Sequence, residues 1–205
     1  MGPQQKSYFT IEEYVQLEKD TNVHYEYYDG EVYAMAGGSY DHTTISGNVY
    51  SELKAKLRNK KGNDGDSTKC IASSENRKIY ISPKNIFLYP DASVVCGLPR
   101  RPPQEPSAVT NPTLIAEVLS KSTEGRDRGD KFHLYCLLPS FSEYLLVQQY
   151  RVAVELRTKT KDGTWKIEAI EGVGQIIELS SLEIALSIDA LYEDTQDLSE
   201  FLNKS

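Results

Sequence analysis

Between Thr10 and Asp20 the apolar residues Ile11, Tyr14, Val15 and Leu17 fall near one helical face. Thr10 followed by Glu13 has the spacing of a capping box, so the chain opens on a helix. The pattern then turns from helical to alternating. Two aromatic and β-branched runs, HYEYY and EVYAMA, flank Asp29-Gly30, a dipeptide suited to a tight hairpin turn. From Asp41 the recurrence of Ile45, Val49, Leu53 and Leu57 every four residues predicts a second helix. Lys54, Lys56, Arg58, Lys60 and Lys61 crowd its far half, where cations suit the helix dipole, and the glycines of NKKGNDGD end it.

Residues 68–95 read as strand-rich, with RKIYIS and ASVVC the clearest strands. The prolines of GLPRRPPQEPSAVTNP forbid regular structure and predict a long loop, of a kind that is often functional or mobile. TLIAEVLS (113–120) is nearly all apolar, as a strand buried on both faces should be, yet it contains Glu117. TEGRDRGDKFHLYCLL follows as a helix that turns Phe132, Tyr135, Cys136 and Leu138 inward and stops at Pro139. EYLLVQQ, VAVELRTKT and TWKIEAI are further strands, the last two joined across Asp162-Gly163. QIIEL and IALSI add short strands and DALYED a short helix. Such an order predicts an α/β fold: a mixed central sheet flanked by helices, with antiparallel hairpins and a strand–helix–strand unit over 114–149. It fits a single domain over 1–205, with its core at about 9–194 and a polar tail at 195–205.

Composition narrows this picture. The chain is 39% apolar and 26% charged, in the range of globular proteins, and no apolar run approaches a membrane span. The opening MGPQQKSYFT lacks the apolar core of an export signal. The three cysteines, Cys70, Cys96 and Cys136, lie far apart and form no CxxC pair, so neither a zinc knuckle nor a disulfide scaffold is expected, and a reducing cytoplasm fits. A net charge of −7 argues against a broad surface that coats nucleic acid, though not against a small basic cleft.

The candidate chemistry lies in two acids. Asp91 stands after a proline at the mouth of an apolar run, and Glu117 lies inside one. Asp91 could be an ordinary turn residue. Glu117 is harder to dismiss, because a carboxylate within LIAEVL is costly to bury unless it is paired or binds a metal. If the two strands are neighbours, the carboxylates converge, and a divalent cation would relieve their repulsion. Oxygen ligands alone favour Mg²⁺ or Mn²⁺ over zinc. An ion pair from Glu117 to an arginine is the competing explanation.

The ordered series YPD, NPTLIAEVLSKST, DRGDKFHLY and PSFSEYLLV resembles the Uma2 family, also called DUF820. So does the opening stretch from Glu13 to Leu57, and the likeness runs from about Phe9 to Asp194. That family belongs to the PD-(D/E)XK, or restriction-endonuclease-like, superfamily. The resemblance implies a mixed sheet flanked by helices and metal-dependent hydrolysis of DNA phosphodiesters, with Mg²⁺ or Mn²⁺ as cofactor. Asp91 would fill the first acid position and Glu117 the second. Leu119 stands where the superfamily places a lysine, so the resemblance implies a lysine supplied by the following helix. Lys131 is that candidate; Lys121 is nearer in sequence but falls in the turn after the strand. Without the resemblance, Lys131 reads as a solvated residue paired with Asp127 or Asp130. Glu26 would complete the metal shell, or else pair with a basic residue on an exposed strand. His42 reads as the cap of its helix, with a phosphate contact as the alternative. His24 and His133 fit no ligand spacing.

The first expectation is therefore a metal-dependent endonuclease acting on DNA, dimeric as many nucleases of this fold are. The alternative is a weak or inactive relative that binds nucleic acid or a protein partner. An unrelated α/β enzyme is disfavoured, since the chain has no P-loop, GxSxG or dinucleotide fingerprint.

Overall fold

The structure is a computed structural model and describes residues 8–35, 37–59 and 69–198. The capping box opens α1 (Ile11–Thr21): Thr10 Oγ1 accepts from the Glu13 N–H, and Glu13 Oε2 accepts from the Thr10 N–H at 2.9 Å. β1 (Tyr25–Tyr28) and β2 (Glu31–Ala34) form the expected hairpin. Asp29 (φ 43°) and Gly30 (φ 108°) both adopt the left-handed backbone that such a turn requires. A Cβ at Gly30 would also run into the ring of Tyr8, which would have to shift.

α2 (Tyr40–Asn59) buries Ile45, Val49 and Leu53 completely, each worth about 1.5–3 kcal/mol by removal from water. Lys60, Lys61 and the glycines read as the end of this helix lie outside the described residues. β3 (Cys70–Ser74), β4 (Ile79–Ile81), β5 (Ile86–Leu88) and β6 (Ala92–Cys96) follow. The short β5 pairs with both β1 and β4, so the hairpin belongs to a separate four-stranded sheet in the order β2-β1-β5-β4.

β7 (Leu114–Leu119) leads into one helical run: α3 (Glu124–Arg126), a π-helical turn (Asp127–Lys131) and α4 (Phe132–Tyr135). β8 (Glu143–Gln148), β9 (Ala153–Lys159) and β10 (Trp165–Glu171) complete the main sheet, ordered β10-β9-β8-β7-β6-β3. Only the β7–β8 pair of this sheet is parallel, as the strand–helix–strand reading requires. β11 (Ile176–Leu179) and β12 (Ile184–Ser187) form a small ribbon before α5 (Ile188–Leu191).

The alternation along β7 explains its apolar run. Leu114, Ala116 and Val118 pack with Ile45 and Val49 of α2, while Ile115 and Leu119 pack with Tyr135, Phe141 and Tyr144 on the opposite side. Glu117 shares this second face by the two-residue period.

Three readings change. Cys70 and Cys96 are cross-strand partners on β3 and β6 and are joined by a disulfide, leaving Cys136 free. Their wide sequence separation concealed a pairing that the sheet register creates, and the cysteines no longer argue for a reducing compartment. The proline-rich loop is pinned: Val109 bridges Ile79, Lys78 Nζ lies 3.1 Å from Glu105 Oε2, and Asn111 Oδ1 accepts from the Arg100 N–H at 2.7 Å. The segment read as a polar tail begins packed, with Leu198 only 2% exposed and the Gln196 and Asp197 N–H groups donating to the Asp41 carboxylate. Residues 199–205 lie outside the described residues. Among the described residues, no helix is long and apolar enough to cross a membrane.

Candidate active site

β6 and β7 are antiparallel neighbours with Ala92 opposite Ala116, and one further step of that register sets Asp91 opposite Glu117. The two acids thus reach the same sheet end from adjacent strands. Both line a cleft of about 490 Å³, together with Glu26, His42, Asp127 and Lys131. Asp91 is held at both oxygens: Oδ2 accepts from the Val118 N–H at 2.6 Å, and Oδ1 lies 3.1 Å from His42 Nε2. Glu117 is 3% exposed; its Oε1 accepts from Lys131 Nζ at 3.0 Å and from the Tyr135 hydroxyl at 3.1 Å. Among the described residues, Glu117 Oε2 has no hydrogen-bond donor.

Lys131 comes from the π-helical turn. The widened turn is anchored from the sheet: the Tyr144 hydroxyl donates to the Asp127 carbonyl at 2.9 Å, and Arg157 donates to the Arg128 carbonyl at 2.8 Å. Its two buried side chains, Asp127 and Lys131, pair at 3.3 Å. Lys131 also stands 3.5 Å from Glu26 Oε1, so one ammonium faces three carboxylates.

Burial pushes the Glu117 carboxyl up to about 8; Lys131 opposes this, while the charges of Asp127 and Asp91 add to it. Burial works against the Lys131 ammonium, but Glu117, Asp127 and Glu26 outweigh it and hold its pKa above the usual lysine value. Burial also disfavours charge on His42, yet its bond to Asp91 raises its pKa above the ordinary imidazole value.

Residues 11–190 match the Uma2 family, described as "Putative restriction endonuclease". The chain belongs to the Uma2 family. Two uncharacterized Synechocystis proteins are similar to it. One, slr1290, is 36% identical over 88% of this chain and 90% of its own length; the other, sll1609, is 34% identical over 85% and 94%. The crystal structure of a "putative nuclease belonging to DUF820" from Anabaena variabilis shares the fold, with a TM-score of 0.67, 16% identity, and coverage of 90% of this chain and 97% of that one.

In this Uma2 protein the residues singled out from sequence have distinct fates. Asp91, Glu117, Lys131 and Glu26 are brought together. The alternative partner expected for Lys131, Asp127, is also present, but the pair is buried and not solvated. Glu26 is 4% exposed and pairs with Arg126 as well as Lys131. His42 is not the helix cap. Ser39 Oγ accepts from its backbone N–H, which leaves the ring free to face Asp91. A close approach permits this: a Cβ on Gly38 would stand 2.6 Å from His42 Cδ2. Lys121 lies over the Tyr150 ring, 4.9 Å from its centroid. His24 bonds Asn76 and His133 bonds the Gly129 carbonyl, both exposed. Tyr135 and the Val118 N–H were not foreseen. The four-residue spacing of Asp127 and Lys131 pointed to their pairing, but nothing in the local sequence marks that pair as buried.

Among the described residues, no group of three or more His, Cys, Asp or Glu side chains is gathered to hold a metal. A magnesium-like cation does not need one. It keeps several waters and commonly takes only one or two carboxylates beside substrate phosphate. Asp91 and Glu117 supply an all-oxygen pair from adjacent strands, with a raised Glu117 carboxyl and an Oε2 that lacks a donor among the described residues. That donor set fits Mg²⁺ or Mn²⁺.

Proposed function

We propose that this Uma2 protein is a metal-dependent endonuclease hydrolysing DNA phosphodiester bonds. The observation that carries the reading is Lys131 reaching Glu117 from a helix while Asp91 stands on the adjoining strand. Two acids and an amine are assembled, although Leu119 occupies the strand position of the amine. The nuclease descriptions of the family and of the Anabaena neighbour support the same reading.

Asp91 and Glu117 would hold the cation, with Glu26 at the edge of the shell. When bound, the cation would supply Lewis-acid polarisation of the phosphoryl oxygen and a lowered pKa for water. Val118 and His42 fix the orientation of the Asp91 carboxylate. Glu117 must give up its proton to serve as a ligand, and Lys131 favours that loss. The Lys131 ammonium would then orient the attacking water or stabilise the charge that builds on the phosphoryl oxygens.

A second reading is a binding protein with a silent site. One observation favours it: Lys131 already pairs with Glu117, Asp127 and Glu26 without a metal ion. Purified protein is incubated with plasmid and oligonucleotide DNA in Mn²⁺, Mg²⁺ or EDTA. Cleavage that needs the metal and disappears in Asp91→Asn and Glu117→Gln supports the nuclease. Cleavage that survives EDTA or both variants rules out this site. Absence of cleavage, and of any Mn²⁺-induced rise in melting temperature, favours the binding protein.

A further inference from the structure

We infer that the cleft takes an unpaired DNA strand, held by stacking on Tyr33 and Tyr150; this rests on the nuclease reading and adds the class of substrate. Both tyrosines line the cleft that holds Asp91 and Glu117. Both are open to solvent, Tyr33 at 51% and Tyr150 at 45% exposed, beside a site whose acid and lysine are buried. Their placement comes from the sheets. Tyr33 is the cross-strand partner of Glu26, so its ring stands on the cleft side of the small sheet. Tyr150 lies just beyond β8; carrying the parallel register of Leu119 with Gln148 onward brings it beside Lys121, whose ammonium covers its ring.

A second concavity of about 410 Å³ is lined by Tyr28, Glu31, Tyr33 and Arg126, and it shares Tyr33 and Arg126 with the first. Arg126 spreads over the Tyr28 ring, 5.3 Å from its centroid, with 42% of its side chain exposed. The cleft and the concavity beside it therefore carry two aromatic faces with an adjacent cation, Tyr150 with Lys121 and Tyr28 with Arg126. That arrangement suits a strand whose bases stack while its backbone passes a basic group.

Charge argues against a duplex. B-DNA presents a phosphate about every 1.7 Å of its axis and is held by many basic contacts. This chain carries a net charge of −7, and among the described residues the only Lys and Arg side chains lining either concavity are Arg126 and Lys131. Lys131 is already committed to three carboxylates. Stacking accepts any base, because every base has a π-face, and adds about 1–3 kcal/mol per base to the basic contacts along the backbone.

The test is fluorescence anisotropy with a labelled thymidine 20-mer and with the same strand in a blunt duplex, in Ca²⁺ to withhold cleavage. The single strand should bind at least about tenfold more tightly. Tyr33→Ala and Tyr150→Ala should each weaken it roughly 5- to 150-fold, the range of one lost base stack. Tyr33→Phe and Tyr150→Phe keep the ring and should keep most of the affinity; melting temperatures are taken for every variant, and the Phe forms preserve the comparison if an Ala form fails to fold. Equal or tighter binding of the duplex, no binding of either, or Ala variants that bind like the parent would overturn the inference. A parallel digest in Mn²⁺ separates the two claims. A cut duplex beside an intact single strand overturns the inference and leaves the nuclease standing. A single strand bound through the tyrosines but never cut leaves the inference standing and removes the nuclease.

Discussion

The ammonium of Lys131 sits 3.0 Å from Glu117 Oε1 although fourteen residues separate them in the chain. One comes from a strand and the other from a widened helical turn anchored to the sheet by Tyr144 and Arg157. Both the stability and the proposed chemistry of the site depend on their contact.

Replacing Lys131 with Ala should therefore do two things. Three buried carboxylates lose their only shared cation, which should cost about 3–5 kcal/mol of folding stability. Mn²⁺ should still raise the melting temperature of the variant, by less near neutral pH because Glu117 then holds its proton more tightly, while cleavage is lost. Undiminished cleavage by a folded variant would show that the role proposed for Lys131 is wrong.

Asp91 needs a different expectation. From charge repulsion alone, removing an acid should leave the metal-free protein as stable or more so. The Val118 N–H, which donates to Asp91 Oδ2, reverses that. Asp91→Ala strands this donor and should cost about 1–3 kcal/mol without metal. Asp91→Asn keeps a carbonyl acceptor and should lose less, while both variants lose the Mn²⁺ shift and cleavage. Thermal melts in EDTA and in Mn²⁺ check each clause.

The pH dependence comes from Glu117. Burial raises its folded-state pKa to about 8, above the 4.5 of a free glutamate. Between those values the folded state binds more protons than the unfolded one, so the contribution is fully present below about pH 4.5 and falls away as pH rises through 8. Metal-free protein should lose stability across that window, and Glu117→Gln should flatten this part of the curve. The Mn²⁺-induced shift should grow over the same window, because the ligand must be deprotonated. Urea melts at several pH values, with and without Mn²⁺, measure both slopes.

The disulfide gives a thiol count. Oxidised protein, denatured without reductant, should titrate as one thiol, Cys136, and as three after reduction. Cys96→Ala should lower stability by roughly 2–4 kcal/mol, as expected when a cross-link is lost from the unfolded chain. The cleft should be untouched, since Cys96 lies at the end of β6 away from Asp91. Three reactive thiols before reduction would show that the bond does not form.

Local pattern made much of this architecture legible. The capping box at Thr10, the Asp29-Gly30 turn, the α2 stripe and the buried β7 run depend on neighbours within a few residues, and each stands where the sequence put it. β5 escaped because Ile86–Leu88 is too short to show a period, and its pairing with β1 is set by distant residues. The Cys70–Cys96 bond, the inward His42 ring and the Val118–Asp91 contact escaped for the same reason: sheet register and packing create them, and neither can be read from adjacent residues. Asp91 and Glu117 could be picked out because an acid beside or inside an apolar strand is conspicuous wherever the strand goes.

Leu119 lies two residues beyond Glu117 on β7. It is 1% exposed and packs with Ile115, Tyr135 and Tyr144 on the face that also carries Glu117. A lysine there would crowd a second charge into the layer already occupied by Lys131. The buried layer has room for one amine, carried by the helix or by the strand but not by both, and Leu119→Lys should therefore lower the melting temperature.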